Sequence, residues 1–110
     1  MKKSWPREIY EKASISDLIL VSFYFLNGAN KKIGFEDLLK KSFDLFPQKF
    51  CLAKYCQWPD SQKLDRPLRA LRRKKMILGG PKENFTLTKT GRKRALETIN
   101  LFRQRKLKLK

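Results

Sequence analysis

The stretch from Gln62 to Arg94 constrains this chain more than any other. Leu64, Leu68 and Leu71 recur at i, i+4 and i+7, the single apolar seam of a helix capped at Asp60 or Ser61 and running to about Lys75. At 100° per residue, Gln62, Arg66, Arg69 and Arg73 centre on the opposite side, with Lys63, Arg72 and Lys74 on the flanks. Met76-Ile77-Leu78 and Phe85-Thr86-Leu87 then read as two short strands. They are joined through Gly79-Gly80-Pro81-Lys82-Glu83-Asn84, where glycine and asparagine permit positive φ. Thr88 caps a last helix that reaches about Arg105, with Ala95, Leu96, Ile99 and Phe102 as its apolar stripe and Gly91 in its first turn. A cationic helix, a tight hairpin and a freshly capped helix imply a mainly α fold with a small β-sheet. Pro67 conflicts locally, because it removes a backbone donor inside a helix. Either Ser61 to Arg66 is a separate turn, or one helix has a bent first turn; the second reading is favoured.

Charge follows the same division. Residues 1–60 carry 10 basic and 7 acidic side chains, a net of +3, whereas residues 61–110 carry 17 and 3, a net of +14. The formal total of +17 costs a compact chain self-repulsion unless a polyanion screens it. Nucleic acid is the natural partner, and an anionic membrane surface is the weaker alternative. With 110 residues, 41% of them hydrophobic and eight of them Phe, the chain is sized for one domain with a real core.

Upstream, Met1 to about residue 15 reads as an N-terminal arm with at most a helical turn around Glu8–Lys12. Residues 16–105 form the domain, and 106–110 a basic tail. Ser16 with Asp17 suits a helix start, and Asn27-Gly28 a helix end. Between them Leu18 to Leu26 is apolar nearly all round, which requires burial on most sides. Lys31 to Gly34 is expected to be a short strand pairing with the hairpin. Phe35 to Phe46 is a helix with a stripe of Phe35, Leu38, Leu39, Phe43 and Phe46, stopped by Pro47. The connection 47–60 is long and holds Phe50, Tyr55 and Trp58. Its aromatics either close over the core as a lid or, flanked by Lys49 and Lys54, stack on or brace a nucleic-acid backbone.

Several classes are disfavoured. There is no His for general acid–base work, no phosphate-cradling glycine loop and no clustered acidic metal ligands, so no catalytic residue, metal or cofactor is expected. Cys51 and Cys56 fall short of the roughly four ligands of a structural zinc site; they could pair as a disulfide in an oxidising compartment, but half-buried free thiols of a cytosolic protein are the expectation. The run from Leu18 to Ala29 lies late for a signal peptide, behind Glu8, Glu11 and Asp17. It is also shorter than the about 20 apolar residues that span a bilayer. The expected setting is prokaryotic cytoplasm, with no membrane and no small-molecule ligand.

"LRALRRKKMI" (68–77) followed by "FTLTKTGRKRAL" (85–96) resembles the winged helix-turn-helix superfamily, in particular small prokaryotic regulators of the MarR and PadR kind. The likeness spans roughly residues 16–100. It implies four helices with a two- to three-stranded wing sheet, and DNA binding by a recognition helix (about 61–75) and a β-wing (76–87). The long 47–60 loop, Pro67 and the lack of a ligand domain depart from that pattern and speak against a small-molecule-sensing repressor. Arginine can bond guanine bidentately in the major groove. Gln62, Lys63, Arg66 and Arg69 are therefore the base-contact candidates. Ser61, Arg72, Arg73, Lys74, Lys82, Asn84, Lys89, Arg92 and Lys93 are the phosphate-contact candidates. For Arg92 and Arg94 the alternative is a salt bridge to Glu97 or Asp65.

The expected function is duplex-DNA binding by a small transcriptional regulator or DNA-binding accessory protein. One alternative is a structured-RNA or ribosome-associated protein. Another is an interaction module docking through helix 16–27 and the aromatic loop 47–60. A homodimer would fit a two-fold operator, with Leu20, Tyr24 and Leu101 as the suggested interface, unless the N-terminal arm covers that surface.

Overall fold

The computed structural model of the protein describes residues 5–27, 30–80 and 84–108. These residues form α1 (Arg7–Tyr10), α2 (Ile15–Phe25), α3 (Phe35–Leu45), α4 (Gln62–Arg73), β1 (Ile77–Gly80), β2 (Asn84–Leu87) and α5 (Lys89–Lys108). The architecture is mainly helical with a two-stranded antiparallel sheet in the register Ile77↔Leu87 to Gly80↔Asn84.

The apolar run in α2 makes it the central helix. Leu18, Ile19, Leu20, Val21 and Phe23 are fully buried, and the helix packs against α3, α4, α5 and β2. Its cap is Ser14 rather than the expected Ser16. The Ser14 hydroxyl accepts from the Asp17 N–H at 3.2 Å, a reach that requires a cap three residues upstream. Asn27 then turns left-handed at φ 62°; Gly28, the other half of the expected stop, lies outside the described residues. Across the α2–α3 contact, Ser42 Oγ donates to Ser22 Oγ at 3.0 Å, and Ser22 in turn donates to the Leu18 carbonyl.

The expected strand at Lys31–Gly34 shrinks to one residue. Ile33 exchanges backbone bonds of 2.7 and 2.8 Å with Phe85, and Gly34 is already the N-cap position of α3. The N-terminal segment goes the other way, with α1 as a fifth helix beyond the four expected. Ile9 and Tyr10 are buried, and the Trp5 N–H donates to the Leu45 carbonyl at 3.0 Å. Rings meet edge to face from Tyr10 to Phe46 to Phe102, and again between Trp5 and Phe102. Arg105 Nη1 donates to the Ile9 carbonyl at 2.7 Å, so the start of the chain is sewn to the end of α5. That last helix outlasts the expected boundary at Arg105, and the first residues of the supposed tail are helical. Leu109 and Lys110 lie outside the described residues. Among the described residues no helix is long and apolar enough to cross a membrane.

The α4 helix is continuous through Pro67, as one helix with an altered first turn. Asp60 is the capping side chain, its Oδ1 accepting the Gln62 N–H at 3.0 Å, while Ser61 is helical and makes no side-chain cap. The Ser61 carbonyl accepts from both Leu64 and Asp65, at 3.1 and 3.2 Å, which tightens the turn ahead of the proline. Leu64, Leu68 and Leu71 are buried as the seam predicts. The helix closes with a Schellman pair, Lys75 N–H to Arg72 O and Met76 N–H to Leu71 O, both 3.0 Å.

Candidate nucleic-acid interface

A cationic face stands opposite the buried seam of α4. Gln62, Arg66, Arg69, Arg72, Arg73, Lys74 and Lys75 are all exposed. Lys75, beyond the expected phosphate set, is displayed by its left-handed backbone at φ 58°. The Arg72 guanidinium extends over β1: a Cβ built on Gly80 would stand 3.3 Å from its Nη1. The helix face and the hairpin are therefore contiguous at this arginine.

The start of α5 is fastened to the exit of α4. Thr88 N–H donates to Met76 O at 3.1 Å, and the Thr88 hydroxyl lies 2.8 Å from Lys75 O and 2.9 Å from Met76 O. That hydroxyl also accepts the Gly91 N–H at 3.1 Å, capping α5. The Thr88 hydroxyl is thus engaged on both sides, as the helix cap that the sequence leads one to expect. The joint holds Thr88 against the Lys75 and Met76 carbonyls, and Lys89, the next residue, is exposed. Lys93 is exposed on the first turns of α5, and Arg92 lies 5.8 Å from the centre of the Tyr24 ring.

Not every basic residue is available. Lys63 is half-buried and its ammonium donates to the Cys51 carbonyl at 2.7 Å, so this side chain braces the preceding loop and does not project with Gln62 and Arg66. Arg94 makes a two-pronged pair with Asp17 (2.9 and 3.1 Å), tying α5 to the start of α2; neither Glu97 nor Asp65 is its partner. Arg69 contacts Asp65 at 3.0 Å, but both side chains are largely exposed. Such an i,i+4 pair is worth about 0.3–0.5 kcal/mol, so exchanging the carboxylate for a phosphate or base edge costs little. Ser61 is exposed beside the cap. The Asn84 side chain leans toward the backbone at Gly34, its Oδ1 3.6 Å from where a Cβ there would stand. Lys82 lies outside the described residues.

The loop before α4 departs from two expectations, the free thiols and the aromatic lid. Cys51 and Cys56 are joined in a disulfide, not free. The loop doubles back through a Cys51–Pro59 bridge and a 2.9 Å bond from Leu52 N–H to Trp58 O, bringing the two Cα atoms to 4.7 Å, inside the range a disulfide spans. Nor do its aromatics form a lid. Phe50 alone is buried, while Tyr55 and Trp58 are 54% and 59% exposed.

The suggested dimer surface is also altered: Leu20 is fully buried inside the chain, and of that trio only Leu101 is exposed. Among the described residues no group of three or more metal-ligating side chains occurs. Comparison with known proteins returns no match, whether to a family model, a curated protein or a solved structure.

Proposed function

We propose that the protein binds double-stranded DNA through the exposed face of α4. In this reading the chain is a winged helix, with α4 as recognition helix and the β1–β2 hairpin as its wing. The observation that carries it is the division of α4 into a buried leucine seam and an opposite face of one amide and three guanidiniums, Gln62, Arg66, Arg69 and Arg73. An α-helix fits the major groove, where arginine reads guanine and glutamine reads adenine. Gln62, Arg66 and Arg69 are the base readers, and Arg72, Arg73, Lys74, Lys75 and Lys89 grip phosphates on either side. Lys63 drops out because its ammonium is committed to Cys51. Use as a small transcriptional regulator or DNA-binding accessory protein follows from this chemistry.

Reversing charge on exposed arginines tests the reading without disturbing the core. Arg66→Glu/Arg69→Glu is expected to weaken duplex binding at least a hundredfold at constant salt while the thermal melt stays near wild type. Undiminished binding would remove α4 as the reader. A competition between duplex DNA and structured RNA at equal salt, won by the RNA, would transfer the face to RNA.

A further inference from the structure

Tyr55 and Trp58 are two of the three exposed aromatic side chains among the described residues, the third being Phe25. They do not hang from a loose segment. The Cys51–Cys56 disulfide, the Cys51–Pro59 bridge, Trp58 N–H to Tyr55 O at 3.0 Å and Asp60 N–H to Phe50 O at 2.8 Å hold the backbone, with Phe50 anchored in the core. A cross-linked scaffold that buries one ring and turns two outward is arranged for display. Its position is equally defined: Trp58 lies two residues before Asp60, which caps α4, and Lys63 on α4 reaches back to the Cys51 carbonyl.

Charge selects the occupant. Residues 45–59 contain Lys49 and Lys54 and no carboxylate. The two acids that follow are engaged, Asp60 with the Gln62 amide and Asp65 with Arg69. Exposed rings in a cationic setting, next to a helix face that suits phosphates, match the π-face of a base on a strand whose backbone the lysines neutralise. Bases inside a duplex are stacked on each other and offer no free face, so the rings require an unpaired base. We propose that the disulfide-held loop 50–59 stacks an unpaired base of a strand that continues past the duplex held by α4. The preferred ligand is then a duplex with a single-stranded extension. This rests on the α4 reading above and narrows its substrate.

The test compares a blunt mixed-sequence duplex with the same duplex carrying a short single-stranded extension, at equal salt. Wild type should bind the extended duplex roughly tenfold more tightly, the scale of one base stacked on an aromatic side chain. Tyr55→Ala/Trp58→Ala should bind both ligands with the blunt-duplex affinity and melt like wild type, whereas Trp58→Phe should keep the preference. In a Trp5→Phe background Trp58 is the sole tryptophan, and its emission should be quenched by the extended duplex and not by the blunt one. Equal wild-type affinity for the two ligands, or a preference that survives the double alanine variant, overturns the loop's role and leaves α4 as the duplex reader. Failure of wild type to bind either ligand overturns both.

Discussion

Lys75 ends α4 at φ 58°, a conformation glycine adopts freely and a lysine does not. The left-handed backbone costs an L-residue about 1–2 kcal/mol, partly offset because glycine loses more freedom on folding. Lys75→Gly should therefore stabilise the protein by about 0.5–1 kcal/mol, raising Tm by roughly 4 °C in a calorimetric scan. Tyr10 supplies a pH signature. Burial, the largest influence, holds its phenol above the usual range, outweighing a backbone hydrogen bond at Gln48. The unfolded chain gives up this proton first, so the contribution is intact below about pH 10 and lost as pH rises through the folded value. In denaturant titrations, the stability of wild type relative to Tyr10→Phe should be unchanged around pH 8 and fall above pH 10. Single residues were the least legible scale in the sequence. The sequence points to Ser16 as the cap of α2 because Asp17 follows it, whereas the Ser14 hydroxyl is the one that reaches the Asp17 N–H. The tie from Lys63 to Cys51 and the Cys51–Cys56 pairing depend on how the loop folds back, which no local pattern encodes.

The junction between the hairpin and α5 is built on Gly91. Alanine there would gain about 1 kcal/mol of helix propensity. Its Cβ, however, would strike the Met76 carbonyl oxygen and crowd the Leu87 side chain. Overpacking costs about 1–3 kcal/mol, and a backbone carbonyl held by Thr88 has little room to give. Gly91→Ala should thus lower stability by about 2 kcal/mol in chemical denaturation, against its propensity. At this scale the sequence was informative wherever a period repeats. The leucine seam of α4, residues 18–23 of α2 and the Ala95/Ile99/Phe102 stripe all occupy the core, while Phe25 at the end of α2 is exposed. The 47–60 loop has no period, and its exposed rings followed from turn bonds and a cross-link that sequence spacing does not reveal. The strand expected at Lys31–Gly34 is reduced to the Ile33 bridge because Gly34 already serves α3.

For the molecule as a whole, the division into a mildly charged first half and a strongly basic second half is legible from residue counts alone. The structure adds that the first half is largely packing: α2 packs on α4 and α5 and α1 on α5, leaving the α4 cations facing water. The N-terminal arm reads as peripheral in the sequence because its polar residues mask Trp5, Ile9 and Tyr10, whose partners lie far along the chain. The central claim is that this exposed charge is a phosphate-gripping surface. In the proposed function Arg72, Arg73, Lys74, Lys75 and Lys89, with the exposed Arg92 and Lys93 of α5, would furnish the phosphate contacts, and each neutralised phosphate contributes about 0.9 to the salt slope on duplex DNA. The most direct measurement is the affinity for a mixed-sequence duplex as a function of salt concentration. A slope of log K against log salt of roughly −5 to −7 is the expected result. A slope near zero, or binding too weak to measure at low salt, would contradict it.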